Sequence, residues 1–327
     1  MAKNGVRWKS ITLKDERRLT AGLVHHRWPA FARDGQWLAF AASSGHDATW
    51  VLTDRRGRVA RTLDGPADGG ASFGAARDGS PLAFGRRAGA TSEIWLMPGG
   101  GAPPVRLLGG DGRLYREPAW SPDGASLAFS CGDEASGPTH LELLDISTGR
   151  RTPLTNEAQR SDGRPAFSPD GAELYFEGAA EDGDVAIYAL NLERRDVMRV
   201  TVTGAVSRRP APLSHELVVV ERQLDGGGTH LVLIDRRTVR ERDLTPDGAE
   251  HREPAVLRLS NGKIKLAFTA LTAAAEGEPR RFDVCTARLK GLQLADEAPR
   301  SDVIEVPVSE TAPGAEPAPP SETAPAA

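Results

Sequence analysis

Short apolar runs alternate with polar turns along the whole chain, and one two-strand phrase returns six times, about every 45 residues. Its steadier half reads WLAFAA at 37–42, PLAFGR at 81–86, SLAFSC at 126–131, ELYFEG at 173–178, ELVVVE at 216–221 and KLAFTA at 265–270. Leu38, Leu82, Leu127, Leu174, Leu217 and Leu266 mark the beat. The half before it is clearest in REPAWSPDG at 116–124 and GRPAFSPDG at 163–171. A third strand follows, as in HLELLDI at 140–146 and HLVLIDR at 230–236, then a fourth ending in pieces such as RTPLT at 151–155 and ERDLT at 241–245. Tight turns with glycine, such as Pro122-Asp123-Gly124, join them. No stretch sustains a 3.6-residue apolar period, so little helix is expected. Four antiparallel strands in each of six units predict an all-β chain, a six-bladed β-propeller.

One outer-strand phrase is spare. ERRLT at 16–20 has the character of a fourth strand yet precedes the first unit. It is expected to complete the last blade, which would close the ring and leave no open seam. The predicted organisation is therefore a closing strand within 1–20, propeller repeats over 21–296 and a Pro/Ala/Glu-rich tail over 297–327.

The Ser-Pro-Asp-Gly turn after a Pro-x-aromatic strand, followed by Leu-Ala-Phe, resembles the TolB-like family, also called WD40-like PD40 repeats, over roughly residues 6–296. Units 3 and 4 match best. Units 1 and 2 keep Arg33-Asp34-Gly35 and Arg77-Asp78-Gly79, unit 5 has Ser214-His215-Glu216 at the turn and unit 6 has Ser260-Asn261-Gly262. The resemblance implies a propeller and leaves function open, because such propellers serve in a periplasmic translocation protein, in oligopeptidases and in lyase-like enzymes.

A net charge of −4 and a pI near 6.0 give no basic field for nucleic acid, so no nucleic-acid partner is expected. No apolar run approaches the length of a membrane span, so no membrane insertion is expected. The N-terminus lacks the apolar core of a signal peptide. Cys131 and Cys285 fall on opposite sides of a six-fold ring, too far apart for a disulfide, and read as buried small hydrophobes. A cytoplasmic location is the expectation, or a periplasmic one if a leader has been removed.

Residues 309–327 read SETAPGAEPAPPSETAPAA, with SETAP twice. Such a composition cannot bury a core and favours extended polyproline-like chain. It reads as a solubilising appendage or as a ligand for the tunnel of a neighbouring propeller, the chain's own tail acting in trans.

Blade topology assigns every loop to a face. His25, His26, His46, His140, His230 and His251 fall on the side where the innermost strands begin, and His215 falls opposite. Asp47, Asp133, Glu134, Asp182 and Asp184 join the first group. Aligning each unit on its proline places Trp28, Gly70, Glu117, Arg164, Arg209 and Glu253 around the tunnel mouth, with Arg116 beside Glu117. Two positions earlier stand His26, Asp68, Tyr115, Asp162, Ser207 and His251. Phe31, Phe73, Trp120 and Phe167 are expected to pack between blades. Gly70-Ala71-Ser72-Phe73-Gly74 satisfies a nucleophile-elbow string, but it opens an inner strand with no α/β domain around it and carries no catalytic assignment.

The favoured reading is a non-catalytic scaffold that binds a protein or peptide through Trp28, Arg116, Glu117, Arg164, Arg209 and Glu253. A divalent cation at His26, Asp68, Asp162 and His251 is carried beside it, with Ca²⁺ first and a transition metal second. That cation would only hold the ring together, or it would serve a metal-dependent, lyase-like enzyme acting on an acidic saccharide.

Overall fold

A computed structural model describes residues 8–21, 24–43, 47–75, 80–99, 102–133, 137–156, 160–179, 185–202, 204–272, 281–292 and 294. Six four-stranded antiparallel sheets form a ring, a six-bladed β-propeller, and a short 3₁₀ turn, Trp8–Ser10, precedes the first strand. The innermost strands are His25–Phe31, Ala67–Phe73, Leu114–Trp120, Asp162–Phe167, Ser207–Pro212 and His251–Arg258. Blades 1 to 5 each use four consecutive strands. In blade 6 the outer strand is Thr12–Arg18, paired with Arg281–Lys290. The N-terminal strand therefore closes the ring as expected. Residues 297–327, with both SETAP copies, lie outside the described residues, as do His46, Arg77, Asp78, Gly79, Glu134, Asp182 and Asp184.

The Leu-Thr ending of the outer-strand phrase has a structural cause. In blade 3 the Leu154 N–H donates to the Leu141 carbonyl at 2.7 Å, and the Leu141 N–H donates back to the Thr155 hydroxyl at 2.9 Å. Thr245 repeats the bond with Leu231 at 2.8 Å, and Thr201 with Ile187 at 3.1 Å. At the seam Thr20 accepts the Val284 N–H at 2.9 Å, while the Leu19 N–H donates to the Val284 carbonyl at 2.8 Å. The hydroxyl extends the ladder by one bond where the outer strand peels away, satisfying a backbone donor that the strand edge would leave open.

The hydrophobic beat is buried between blades. Leu38, Leu82, Leu127, Leu174 and Leu266 are at most 1% exposed. Blade 5 is corrected by one residue: Pro212 pairs Val218 where Phe167 pairs Leu174, so Val218, not Leu217, occupies the position. The unbroken Leu-Val-Val-Val run of that strand gives no alternation from which to read register.

Every innermost strand carries a bulge at one place. Trp28, Glu117, Arg164, Arg209 and Glu253 have positive φ of 49–57°, and Gly69 has 66°. In five blades two residues there oppose one on the second strand: Arg116 pairs Ser130, and the next pair is Ala119 with Ala128; in blade 2 three residues, 68–70, oppose Gly85. A left-handed non-glycine residue costs about 1–2 kcal/mol. Repetition around the ring makes it a feature of the fold. It turns one side chain toward the axis in every blade but the second, where the residue is glycine.

Candidate functional site at the tunnel mouth

Trp28, Arg116, Glu117, Arg164, Arg209 and Glu253 all line one cavity of about 220 Å³ at the axis, together with Asp68, Gly69 and Gly70. The sequence-predicted mouth is thus assembled by the fold. In blade 2 the left-handed residue is Gly69, one position before the predicted Gly70, because that blade lacks the proline and its bulge holds one more residue. Gly85 makes room for the wider bulge: a Cβ there would stand 1.9 Å from the Asp68 carbonyl oxygen.

From blade 4 round to blade 1 each left-handed residue donates its N–H to a carboxylate of the preceding blade. Arg164 donates to Glu117 at 2.7 Å, Arg209 to Glu177 at 3.1 Å, Glu253 to Glu221 at 2.9 Å and Trp28 to Glu253 at 2.8 Å. Two arrangements supply that carboxylate. Where the left-handed residue is glutamate, a hydroxyl stands opposite on the second strand and donates to it: Ser130 to Glu117 at 2.6 Å, Thr269 to Glu253 at 3.3 Å. Where it is arginine, as at Arg164 and Arg209, the second strand brings the glutamate, Glu177 or Glu221. Glu177 and Glu221 were not singled out in the sequence; the signal was a glutamate on the second strand of units whose mouth residue is arginine.

The side chains close the same circuit. Arg164 pairs with Glu117 at 3.3 Å and with Glu177. Arg209 bridges Glu221 and Glu253, at 3.4 Å to each, and Arg208 approaches Glu177 at 3.8 Å. Burial pushes the Glu117 carboxyl up, but the Arg164 charge and the bonds from Ser130 and the Arg164 N–H outweigh it and hold the group below its ordinary range. Arg164 is held below its ordinary range, by burial first.

Blades 1 and 2 break the circuit. Trp28 presents its indole there, tilted against Trp50 at 6.0 Å, with the Arg27 guanidinium 5.0 Å from its ring centre. Gly69 and Gly70 leave the wall bare, and an added Cβ on Gly70 would have only the Glu117 Cα near it, at 3.9 Å. Arg116 reaches back to Asp68 at 3.1 Å, beside Ser92. Below the mouth, Pro29, Ala71, Pro118, Pro165, Pro210 and Pro254 belong to both this cavity and a lower one of about 370 Å³, so they form a waist between two chambers. Ser72, of the nucleophile-elbow string, accepts the Trp120 N–H at 3.1 Å on an inner strand.

The proposed cation ligands are not brought together. His26 is buried against Phe40, with Nδ1 3.2 Å from Asp283. Burial lowers its pKa, with Asp283 opposing. Asp162 is buried on Arg160 at 2.6 Å, and burial raises its pKa. His251 lies on the Phe268 ring at 4.4 Å between centres; burial first, then the charge on His230, brings its pKa down to about 4. Asp68 alone lines the mouth, and strand pairing puts Ala67, not Asp68, in the layer with His26, Tyr115, Asp162, Ser207 and His251. The bulge breaks strand alternation, so side chains two residues before the left-handed one point between blades rather than into the tunnel.

Among the described residues the cluster of three donors within 4.8 Å of one another is Cys131, His140 and Glu142. Glu142 is bonded by Arg151 at 2.7 Å and lies 3.1 Å from His140 Nε2; burial, then the Glu142 charge, pushes the Cys131 thiol up to about 11. A protonated thiol beside a guanidinium-bound carboxylate is a poor metal site.

No family model and no curated protein matches this chain. Its structural neighbours are TolB proteins and other propeller proteins. A putative TolB from Agrobacterium tumefaciens is 20% identical with TM-score 0.57, covering 72% of this chain and 89% of that one. TolB from Acinetobacter baumannii is 17% identical with TM-score 0.57, covering 79% and 65%. An oligogalacturonate lyase from Vibrio parahaemolyticus is 13% identical with TM-score 0.55, covering 85% and 95%. These likenesses establish the fold, a TolB-like six-bladed propeller. At such identities they assign no activity.

Proposed function

We propose that the mouth is a recognition surface for an extended segment of a partner protein, and that the chain acts as a binding scaffold. The observation that carries this reading is the asymmetry of the ring. Four carboxylate-to-backbone links hold blades 3 to 6 and the seam, while blades 1 and 2 offer an indole, bare glycine backbone and the Asp68–Arg116 pair. A peptide lying in that sector would stack an apolar or proline side chain on Trp28. It would bring its backbone close to Gly69 and Gly70 and meet Arg116 with a carboxylate or carbonyl. Indole and guanidinium are the side chains that most often anchor protein interfaces.

A metal-dependent lyase would need a metal, a base and a carboxylate clamp converging on one spot. His26 and His251 are each enclosed between blades, which weighs against it. Selection of a displayed peptide library on the full chain tests the scaffold reading. Enriched peptides should lose at least about tenfold in affinity, roughly 1.4 kcal/mol, for Trp28→Ala and for Arg116→Ala. No enrichment, or enriched peptides indifferent to both changes, would overturn it.

A further inference from the structure

The lower chamber opens on the face opposite the mouth. Phe31, Phe73, Trp120 and Phe167 line it below the proline waist, so the aromatics expected between blades also form a tunnel wall. Arg33 and Arg258 stand at its rim, and the Arg33 guanidinium reaches from blade 1 to the Pro122 carbonyl in blade 3. Trp120 is 7% exposed, and its Nε1 has no acceptor among the described residues. An aromatic and proline wall with an indole donor is the chemistry that receives polyproline-type chain: prolines pack on the rings and a ligand carbonyl takes the indole N–H.

The chain itself carries such a segment and releases it on this face. Inner strands run from the mouth downward, so in blade 6 the third strand, Arg281–Lys290, also runs downward and ends there. It stands two strand spacings, roughly 10 Å, outside the inner strand. Fourteen residues, 295–308, separate Leu294 from Ser309. Extended at ~3.1 Å per residue they reach about 43 Å, ample to return to the axis. Residues 309–327 hold five prolines, three glutamates and no lysine or arginine, complementary to Arg33 and Arg258.

We propose that the segment 309–327 docks in the lower chamber of its own propeller. Its prolines lie against Trp120 and Phe167, a carbonyl accepts the Trp120 Nε1–H, and its glutamates face Arg33 and Arg258. This site is separate from the mouth and does not rest on the reading given for it. A ligand at the mouth and the tail below would meet only across the proline waist.

The test is proteolysis of the full chain by a Glu-specific protease, following release of fragments cut after Glu310 and Glu322 by mass spectrometry. Docking should slow cleavage by about tenfold or more relative to a synthetic 303–327 peptide, because cutting follows the undocked population. Trp120→Phe combined with Arg33→Gln and Arg258→Gln should return the rate toward that of the peptide. In the unaltered chain, an excess of a 309–327 peptide carrying E310D, E316D and E322D should do the same by competition, independently of how the variants fold. Cleavage of the unaltered chain at the free-peptide rate, or protection indifferent to the competitor, would overturn the proposal. Protection that vanishes on dilution would assign the occupant to a second copy and overturn docking within one molecule.

Discussion

The carboxylate of Glu253, in the last blade, accepts the backbone N–H of Trp28, in the first, at 2.8 Å. The bond crosses the seam of the ring and has the same form as the bond from Arg164 to Glu117 inside it. The bulge also removes the N–H of each mouth residue from the strand ladder, and at Arg164, Arg209, Glu253 and Trp28 a carboxylate from the neighbouring blade answers it. Charge-assisted bonds of this kind contribute about 1.5–3 kcal/mol, enough to offset a left-handed backbone. The charged mouth is therefore part of what holds the blades in register.

Because glutamate-with-hydroxyl and arginine-with-glutamate perform one task, blade 3 should be convertible to the other arrangement. Glu117→Arg alone removes the acceptor of the Arg164 N–H and sets two guanidinium groups side by side, and should cost about 3 kcal/mol. Adding Ser130→Glu supplies the carboxylate from the second strand, as Glu177 does in blade 4, and should recover at least half of the loss. Urea unfolding of the four proteins of the cycle gives the coupling energy. A coupling near zero would show that the two arrangements are not equivalent.

Asp283 is the anchor of the ring closure. It is 1% exposed and takes Arg18 at 2.6 Å, Thr20 at 3.0 Å and Thr272 at 3.0 Å. Asp283→Ala strands these donors and should cost about 3–5 kcal/mol. Arg18→Ala removes a side chain that is 47% exposed and should cost about 1 kcal/mol or less. Equal effects of the two changes on the unfolding midpoint would contradict this placement. Deleting residues 1–18 should expose the edge of Arg281–Lys290 and produce self-association visible by light scattering.

The repeat was legible because Leu-Ala-Phe and Pro-Asp-Gly fix strand, turn and period together. The mouth residues were legible because a proline follows each of Trp28, Glu117, Arg164, Arg209 and Glu253 and marks the register. Blade 2 lacks that proline, and there the reading was off by one, at Gly70 for Gly69. The layer of His26, Asp162 and His251 failed for a different reason. A backbone reversal at a single residue decides which way its neighbours point, and sequence alternation carries no trace of it. Glu177 and Glu221 were hidden because their role exists only between blades.

Acid should destabilise the fold through His251. Its folded pKa, about 4, lies below the usual imidazole value near 6.5, so the unfolded chain binds the proton first. Stability is then complete above pH ~6.5 and falls as pH drops toward 4, by about 1.4 kcal/mol per pH unit from this residue. His26, lowered by burial against the pull of Asp283, adds to the same limb. His251→Phe, which keeps a ring on Phe268, should flatten the slope between pH 6 and 4.5 in thermal melts. An unchanged slope would mean that His251 is not the group being titrated.

Cations test the mouth from the other direction. Glu117 already accepts the Arg164 N–H and the Ser130 hydroxyl and pairs with the Arg164 guanidinium. Glu253 likewise accepts the Trp28 N–H and faces Arg209 and Arg27. A hard cation would have to displace these donors and lie beside Arg164 and Arg209, so it gains little over water. Melting of the chelated full chain should therefore not move when Ca²⁺ or Mn²⁺ is added at millimolar concentration. A site filled a hundredfold above its Kd would stabilise by about 2.7 kcal/mol, a shift easily seen. A saturable rise abolished by Glu117→Gln would show that the ion-pair ring opens to admit a metal, and would bring back the cation-dependent reading of the mouth.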